Sequence, residues 1–181
     1  MDKLDITVLF VEDEELLRAI YKRILEKMVA RLYIAENGKA GLEAFIKHQP
    51  DLVITDIMMP VMDGLEMVEK IRGLDKMVKL VILSAYGEAE YFMDAITIGV
   101  NQFLLKPVET KKLTSLVEEF ANSILLERKV KEQELQRKLA EENLRQLNQE
   151  LEKRVEDRTL DLQKEIKEKI QIAVDRAEKT C

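Results

Sequence analysis

Three carboxylates, one hydroxyl and one ammonium group stand where short apolar runs end: Glu12 and Asp13, Asp56, Ser84, and Lys106. Three carboxylates brought to neighbouring strand ends repel, and each raises the pKa of the others. A hard divalent cation relieves this, and Mg2+ favours one or two carboxylates with several retained waters. An aspartate in such a setting can act as a nucleophile and form an acyl phosphate. That chemistry needs in-line positioning and neutralisation of the equatorial phosphoryl oxygens, for which Mg2+, the Lys106 ammonium and the Ser84 hydroxyl are suited. Taken singly, each residue has a plainer reading: a solvated strand-end acid or helix cap, a loop serine, a surface lysine before Pro107. The inference rests on the set.

Positioning that set requires a rim on which strands end together. Ile6–Val11, Leu52–Thr55 and Lys79–Leu83 are short, nearly continuous apolar runs, as strands buried on both faces should be. Arg31–Ala35 and Gln102–Leu105 complete five. Amphipathic helical stretches alternate with them at Glu15–Lys27, Lys39–Lys47, Leu65–Arg72 and Glu88–Ile98, punctuated by Asn37-Gly38, Asp63-Gly64 and Gly99. This alternation predicts an α/β fold: a doubly wound, five-stranded parallel sheet with helices on both faces. In such sheets ligands sit beyond the carboxyl ends of the strands, where the strand order reverses. The five residues fall on that rim.

The stretch Asp56-Ile57-Met58-Met59-Pro60-Val61-Met62-Asp63-Gly64, with Glu12-Asp13, Ser84-Ala85 and Lys106-Pro107 in the same order and spacing, resembles the response-regulator receiver domain of two-component systems. The resemblance runs from about Ile6 to Ala121 and implies a flavodoxin-like receiver. It implies Asp56 as the phosphoacceptor. It also implies Mg2+ held by Asp13, Asp56 and the Met58 backbone carbonyl, with Glu12 reached through water. Lys106 and Ser84 would grip the phosphoryl oxygens, Ser84 and Phe103 would form the switch, and the Lys106-Pro107 bond would be cis. Phe103 lacks the hydroxyl that many relatives carry there, so its movement would be a packing change. Met58, two residues past the acceptor, is apolar and cannot orient an attacking water, which predicts slow self-dephosphorylation. His48, the single histidine, precedes Gln49-Pro50 at a helix end and reads as a surface residue, not a phosphoryl donor. The implied partner is a cognate histidine kinase or phosphotransfer protein.

Composition sets the rest of the chain apart. All six glycines lie at or before Gly99 and all three prolines at or before Pro107, so nothing interrupts a helix running from Thr110 to about Lys179. The expected division is a receiver over residues 1–121 and a signalling helix over 122–181, continuous with the last receiver helix. Acidic and basic residues recur at i,i+4, as in Glu141-Arg145, Glu150-Arg154 and Glu165-Lys169, which supports an exposed helix. Apolar residues at Ala140, Leu151, Leu162 and Ala173, and at Leu144, Val155, Ile166 and Ala177, repeat every eleven residues. That period gives a stripe winding slightly right-handed, while Glu127, Glu134 and Glu141 keep a seven-residue rhythm; the register changes near Leu139–Leu147. A lone helix cannot bury such a stripe, so a homodimer through a coiled coil is expected. Leu147–Thr159 resembles signalling coiled coils that lead into histidine kinase or diguanylate cyclase domains.

The charge balance excludes other classes. Net charge is −6, and residues 122–181 hold 14 acidic and 14 basic side chains, so no basic face suggests nucleic acid. No run approaches the ~20 apolar residues of a membrane span, no signal peptide opens the chain, and the single Cys181 allows no internal disulfide; a cytoplasmic location is expected. No second catalytic constellation marks an enzyme. The expected function is a receiver that signals through the coil to an output not in this chain; the competing reading is a structural dimeriser whose receiver serves as an unphosphorylated docking surface.

Overall fold

The structure is a computed structural model that describes residues 3–85 and 90–178. Five strands, β1 (Leu4–Val11), β2 (Val29–Ala35), β3 (Leu52–Asp56), β4 (Lys79–Ser84) and β5 (Gln102–Leu105), alternate with helices α1 (Glu15–Met28), α2 (Gly38–His48), α3 (Gly64–Leu74), α4 (Glu90–Ile98) and α5 (Thr110–Glu178). All strand pairs are parallel, in the order β2-β1-β3-β4-β5. The expected doubly wound sheet is present. The helix expected from Glu88 is seen from Glu90, because Glu88 lies outside the described residues.

The apolar runs are continuous because both sheet faces are covered. Side chains alternate faces along a strand, so Phe10 and Val8 enter a core with Tyr21 and Leu25 of α1 and with Leu113 and Val117 of α5. Their neighbours Leu9 and Val11 enter a second core with Phe45 of α2, Met67 and Ile71 of α3, and Ala95 of α4. Val8, Leu9, Phe10 and Val11 are all completely buried. A polar substitution at any of them would have no water to turn to.

Two helices begin on the turn signals. Asn37 and Asp63 cap α2 and α3, their side-chain oxygens accepting from Ala40 N at 2.9 Å and Glu66 N at 2.7 Å. Each cap satisfies one amide that the helix itself leaves unpaired.

The chain divides into two units, Met1–Arg128 and Lys129–Cys181. Within the first, α5 buries Leu113, Leu116, Val117, Ala121 and Ile124. Its last turn within this unit is tied to the amino-terminal rim of the sheet, where Glu127 pairs with Lys79 at 2.7 Å and Arg128 pairs with Asp51. The second unit is helical to Glu178, and every residue from 129 to 172 is exposed. Among the described residues, no helix is long and apolar enough to cross a membrane.

Candidate functional site

Strand register brings the site together. Val11 lies beside Thr55, so the residues that follow, Glu12 and Asp56, emerge side by side at the point where strand order reverses. Ser84 pairs with Leu105 across β4 and β5, which sets Lys106 just beyond it, and Lys106 N donates to Ser84 O at 2.7 Å. The Lys106-Pro107 peptide is cis, as the family resemblance implied.

Carboxylate oxygens of Glu12, Asp13 and Asp56 all lie within 4.8 Å of one another. Lys106 Nζ bridges two of them, at 2.8 Å from Glu12 Oε2 and 2.8 Å from Asp56 Oδ2. Asp56 Oδ1 accepts from Ile57 N at 2.8 Å, which orients the carboxylate. Glu12 is 1% exposed and Asp56 8%. Burial disfavours the charged form and pushes both carboxyls above their ordinary range; Lys106 opposes this at both. Burial alone would pull the Lys106 ammonium down, but Asp56 and Glu12 outweigh it and hold the ammonium above its usual value.

One buried atom of the pocket is left over. Glu12 Oε1 has no hydrogen-bond partner among the described residues. A buried, unpaired carboxylate oxygen is costly, and a cation or its bound water would satisfy it. The donor set is all oxygen, as Mg2+ prefers. The residues therefore fit a hard divalent ion.

Ser84 is buried at the end of β4, its Oγ donating to Ala85 O at 3.2 Å. Phe103 is half-buried on β5, and its ring lies 4.7 Å from that of Phe92 on α4, tilted by 42°. Met58 sits in the β3–α3 loop with its side chain in solvent. His48 stacks on Tyr33 with ring centroids 3.8 Å apart, among none of the site residues.

Three contributors were not visible in the sequence. Arg18 Nη1 donates at 2.8 Å to the carbonyls of both Glu12 and Asp13, holding the β1–α1 turn. Arg18 is one of several basic residues along α1, and no spacing distinguishes it. Thr55 is buried, and its hydroxyl donates to the Asp56 carbonyl at 2.9 Å. Phe92 looks like any apolar helix residue until Phe103 is found beneath it.

The fold and the pocket together define a phosphoacceptor signalling module of the doubly wound α/β class. Residues 8–118 match the response regulator receiver domain, and the chain belongs to that family. It is 34% identical over 119 residues to the chemotaxis protein CheY of Bacillus subtilis, covering 64% of this chain and 97% of that one. It is 41% identical over 85 residues to the uncharacterized transcriptional regulatory protein YesN of the same organism, covering 47% of this chain but spanning only 23% of YesN. The crystal structure of the N-terminal domain of an uncharacterized protein from Wolinella succinogenes superposes with a TM-score of 0.65 at 34% identity, covering 67% of this chain and 98% of that one. Receiver domains act as phosphoacceptors in signalling, interact with histidine kinases or phosphotransfer proteins, and generally bind Mg2+ at an acidic pocket.

Proposed function

We propose that this receiver accepts a phosphoryl group on Asp56 and transmits the change through a dimeric coiled coil to an output outside this chain. The observation that carries the first half is the buried Asp56 carboxylate, ion-paired to Lys106 at 2.8 Å inside a cluster of three acids. An Asp56 carboxylate oxygen attacks phosphorus, the bond from phosphorus to the donor imidazole nitrogen breaks, and the imidazole leaves. Lys106, already placed over Asp56, follows the incoming phosphoryl oxygens, and Ser84 supplies a hydroxyl donor on the other side. Asp13, Asp56 and the Met58 carbonyl would hold Mg2+ directly and Glu12 through water; the ion offsets charge gathering on the phosphoryl oxygens. The chain assists its own phosphorylation and acts on no second substrate. Ser84 and Phe103 would shift on phosphorylation, and Phe92, packed on Phe103, carries that shift to α4. The second half rests on the exposed apolar stripe beyond Lys129, which a second copy would cover.

Incubation with a small phosphodonor and Mg2+, followed by intact-mass measurement, tests the chemistry. Wild type gains one phosphoryl group, Asp56→Asn gains none, and Lys106→Ala is labelled at least about tenfold more slowly, a difference of roughly 1.4 kcal/mol in barrier. The label then persists far beyond seconds, since Met58 offers nothing to orient water. A labelled Asp56→Asn protein sinks the assignment.

A further inference from the structure

The helical unit carries two apolar faces, not one, and they do not coincide. Leu144, Leu147, Leu151 and Val155 form a stripe on one side, each more than half exposed. At 3.6 residues per turn, the positions that extend this stripe toward the receiver are Ala140, Arg137, Gln133 and Val130. Two of these four are polar. Leu135 and Leu139, also more than half exposed, lie about half a turn away on the opposite side. Leu160 is a further off-stripe leucine and stands alone, whereas Leu135 and Leu139 are one turn apart and form a face.

This pattern deepens, and rests on, the reading of the tail as a coil with a second copy. In a parallel, in-register pair, following the stripe puts Arg137 against Arg137 of the other copy and Gln133 against Gln133. Burying like charges at a seam is unfavourable, and Arg137 has a ready alternative in Glu141, 3.4 Å away along its own helix. Turning the segment to bury Leu135 and Leu139 gains about 1.5–3 kcal/mol for each fully buried leucine. It also requires the helix to wind locally against the firm stripe that begins at Leu144; coil stutters and stammers wind a helix in this sense, though a single one supplies less than half a turn. Each packing carries a cost that the other avoids. We propose that residues 131–143 are a two-faced switch segment of the dimeric coil. Gln133, Arg137 and Ala140 face the partner copy in one state of the receiver, and Leu135 and Leu139 face it in the other. The occupant of both faces is a second copy of this chain, since the seam is self-matching and residues 122–181 carry no net charge to repel a copy.

Homotypic cysteine cross-linking of the full chain tests this, in a Cys181→Ser background with a single cysteine introduced as Arg137→Cys, Leu139→Cys or Leu151→Cys. Each protein is mildly oxidised with Mg2+, with and without beryllium fluoride as phosphoryl mimic. Leu151→Cys cross-links in both conditions and reports the dimer itself. The ratio of cross-linking at 137 to that at 139 changes by about fivefold or more with the mimic, the lower end of ordinary coupling between sites. A ratio unmoved by the mimic, or no cross-linking at 139 in either state, overturns the switch while leaving the dimer standing. Absence of cross-linking at 151 overturns the dimer and the switch with it.

Discussion

Asp56 is a charged group in an expensive place. Burial pushes its carboxyl above the ordinary range, and the Lys106 ammonium only partly offsets this. A group whose folded pKa is raised contributes stability fully below its ordinary pKa, and that contribution is lost as pH rises through the folded value. Metal-free protein therefore bears the cost of an ionised, buried Asp56 once pH has risen past that value. Asp56→Asn removes the charge, keeps an oxygen to accept from Ile57 N, and leaves Lys106 its Glu12 partner. With a chelator present, thermal melts at pH 7.5 should find Asp56→Asn more stable than wild type by about 1 kcal/mol. The gap should close as pH falls through the raised value toward the ordinary carboxylate range. A variant less stable than wild type at pH 7.5 would mean that the Lys106 pairing outweighs the desolvation. The acids, Ser84 and Lys106 were legible in the sequence because each ends a strand. Arg18 and Thr55 were not, since their roles are hydrogen bonds to backbone carbonyls, which leave no trace in residue type.

Strand ends become a site only if the following helices start in the right place, and α3 shows how tightly that is set. Gly64 N donates to Ile57 O at 2.7 Å, so the first residue of α3 lies against the end of β3. A Cβ on Gly64 would sit 1.9 Å from the Asp56 carbonyl oxygen, which is backbone and cannot swing aside. Gly64→Ala should therefore cost about 2–3 kcal/mol, the upper part of the usual range for overpacking in a filled interior. Chemical denaturation measures that cost, and phosphoryl uptake at Asp56 should fall in the fraction that stays folded. Gly73→Ala is the control, because beyond its own stretch of helix no atom lies within 4 Å of the Cβ it would gain. Equal stability for the two variants would show that the β3–α3 junction is softer than its contacts suggest. The sequence announced Asp63-Gly64 as a helix boundary. It did not announce the close approach, because the need for glycine comes from a backbone eight residues earlier that meets it only in the fold.

At the scale of the whole molecule, the question is what covers the stripe beyond Lys129. Ion pairs along the helix, such as Arg154 with Glu150 at 2.6 Å, are solvent-exposed, and such pairs contribute about 0.3–0.5 kcal/mol each. They help a helix form but do not decide its partner. The apolar positions do. Leu144, Leu147, Leu151, Val155, Leu162 and Ile166 are all between 44% and 62% exposed. With full burial of such side chains contributing about 1.5–3 kcal/mol each, covering them on two copies even by half is on the order of 10 kcal/mol. That matches or exceeds much of the roughly 4–15 kcal/mol lost to association, before the remaining apolar positions are counted. Pairing should therefore not wait for phosphorylation. Light scattering should give twice the 21.0 kDa chain mass in every condition: without Mg2+, with Mg2+ and beryllium fluoride, and in Asp56→Ala. A chain ended after Arg128, which keeps the whole compact first unit, should be monomeric without the mimic. A dimer formed only with the mimic and lost in Asp56→Ala would mean that phosphorylation controls assembly, and the coil would be the output of the switch, not its conductor. A 21.0 kDa species throughout would remove the coil from the mechanism and leave the receiver to signal through its own faces.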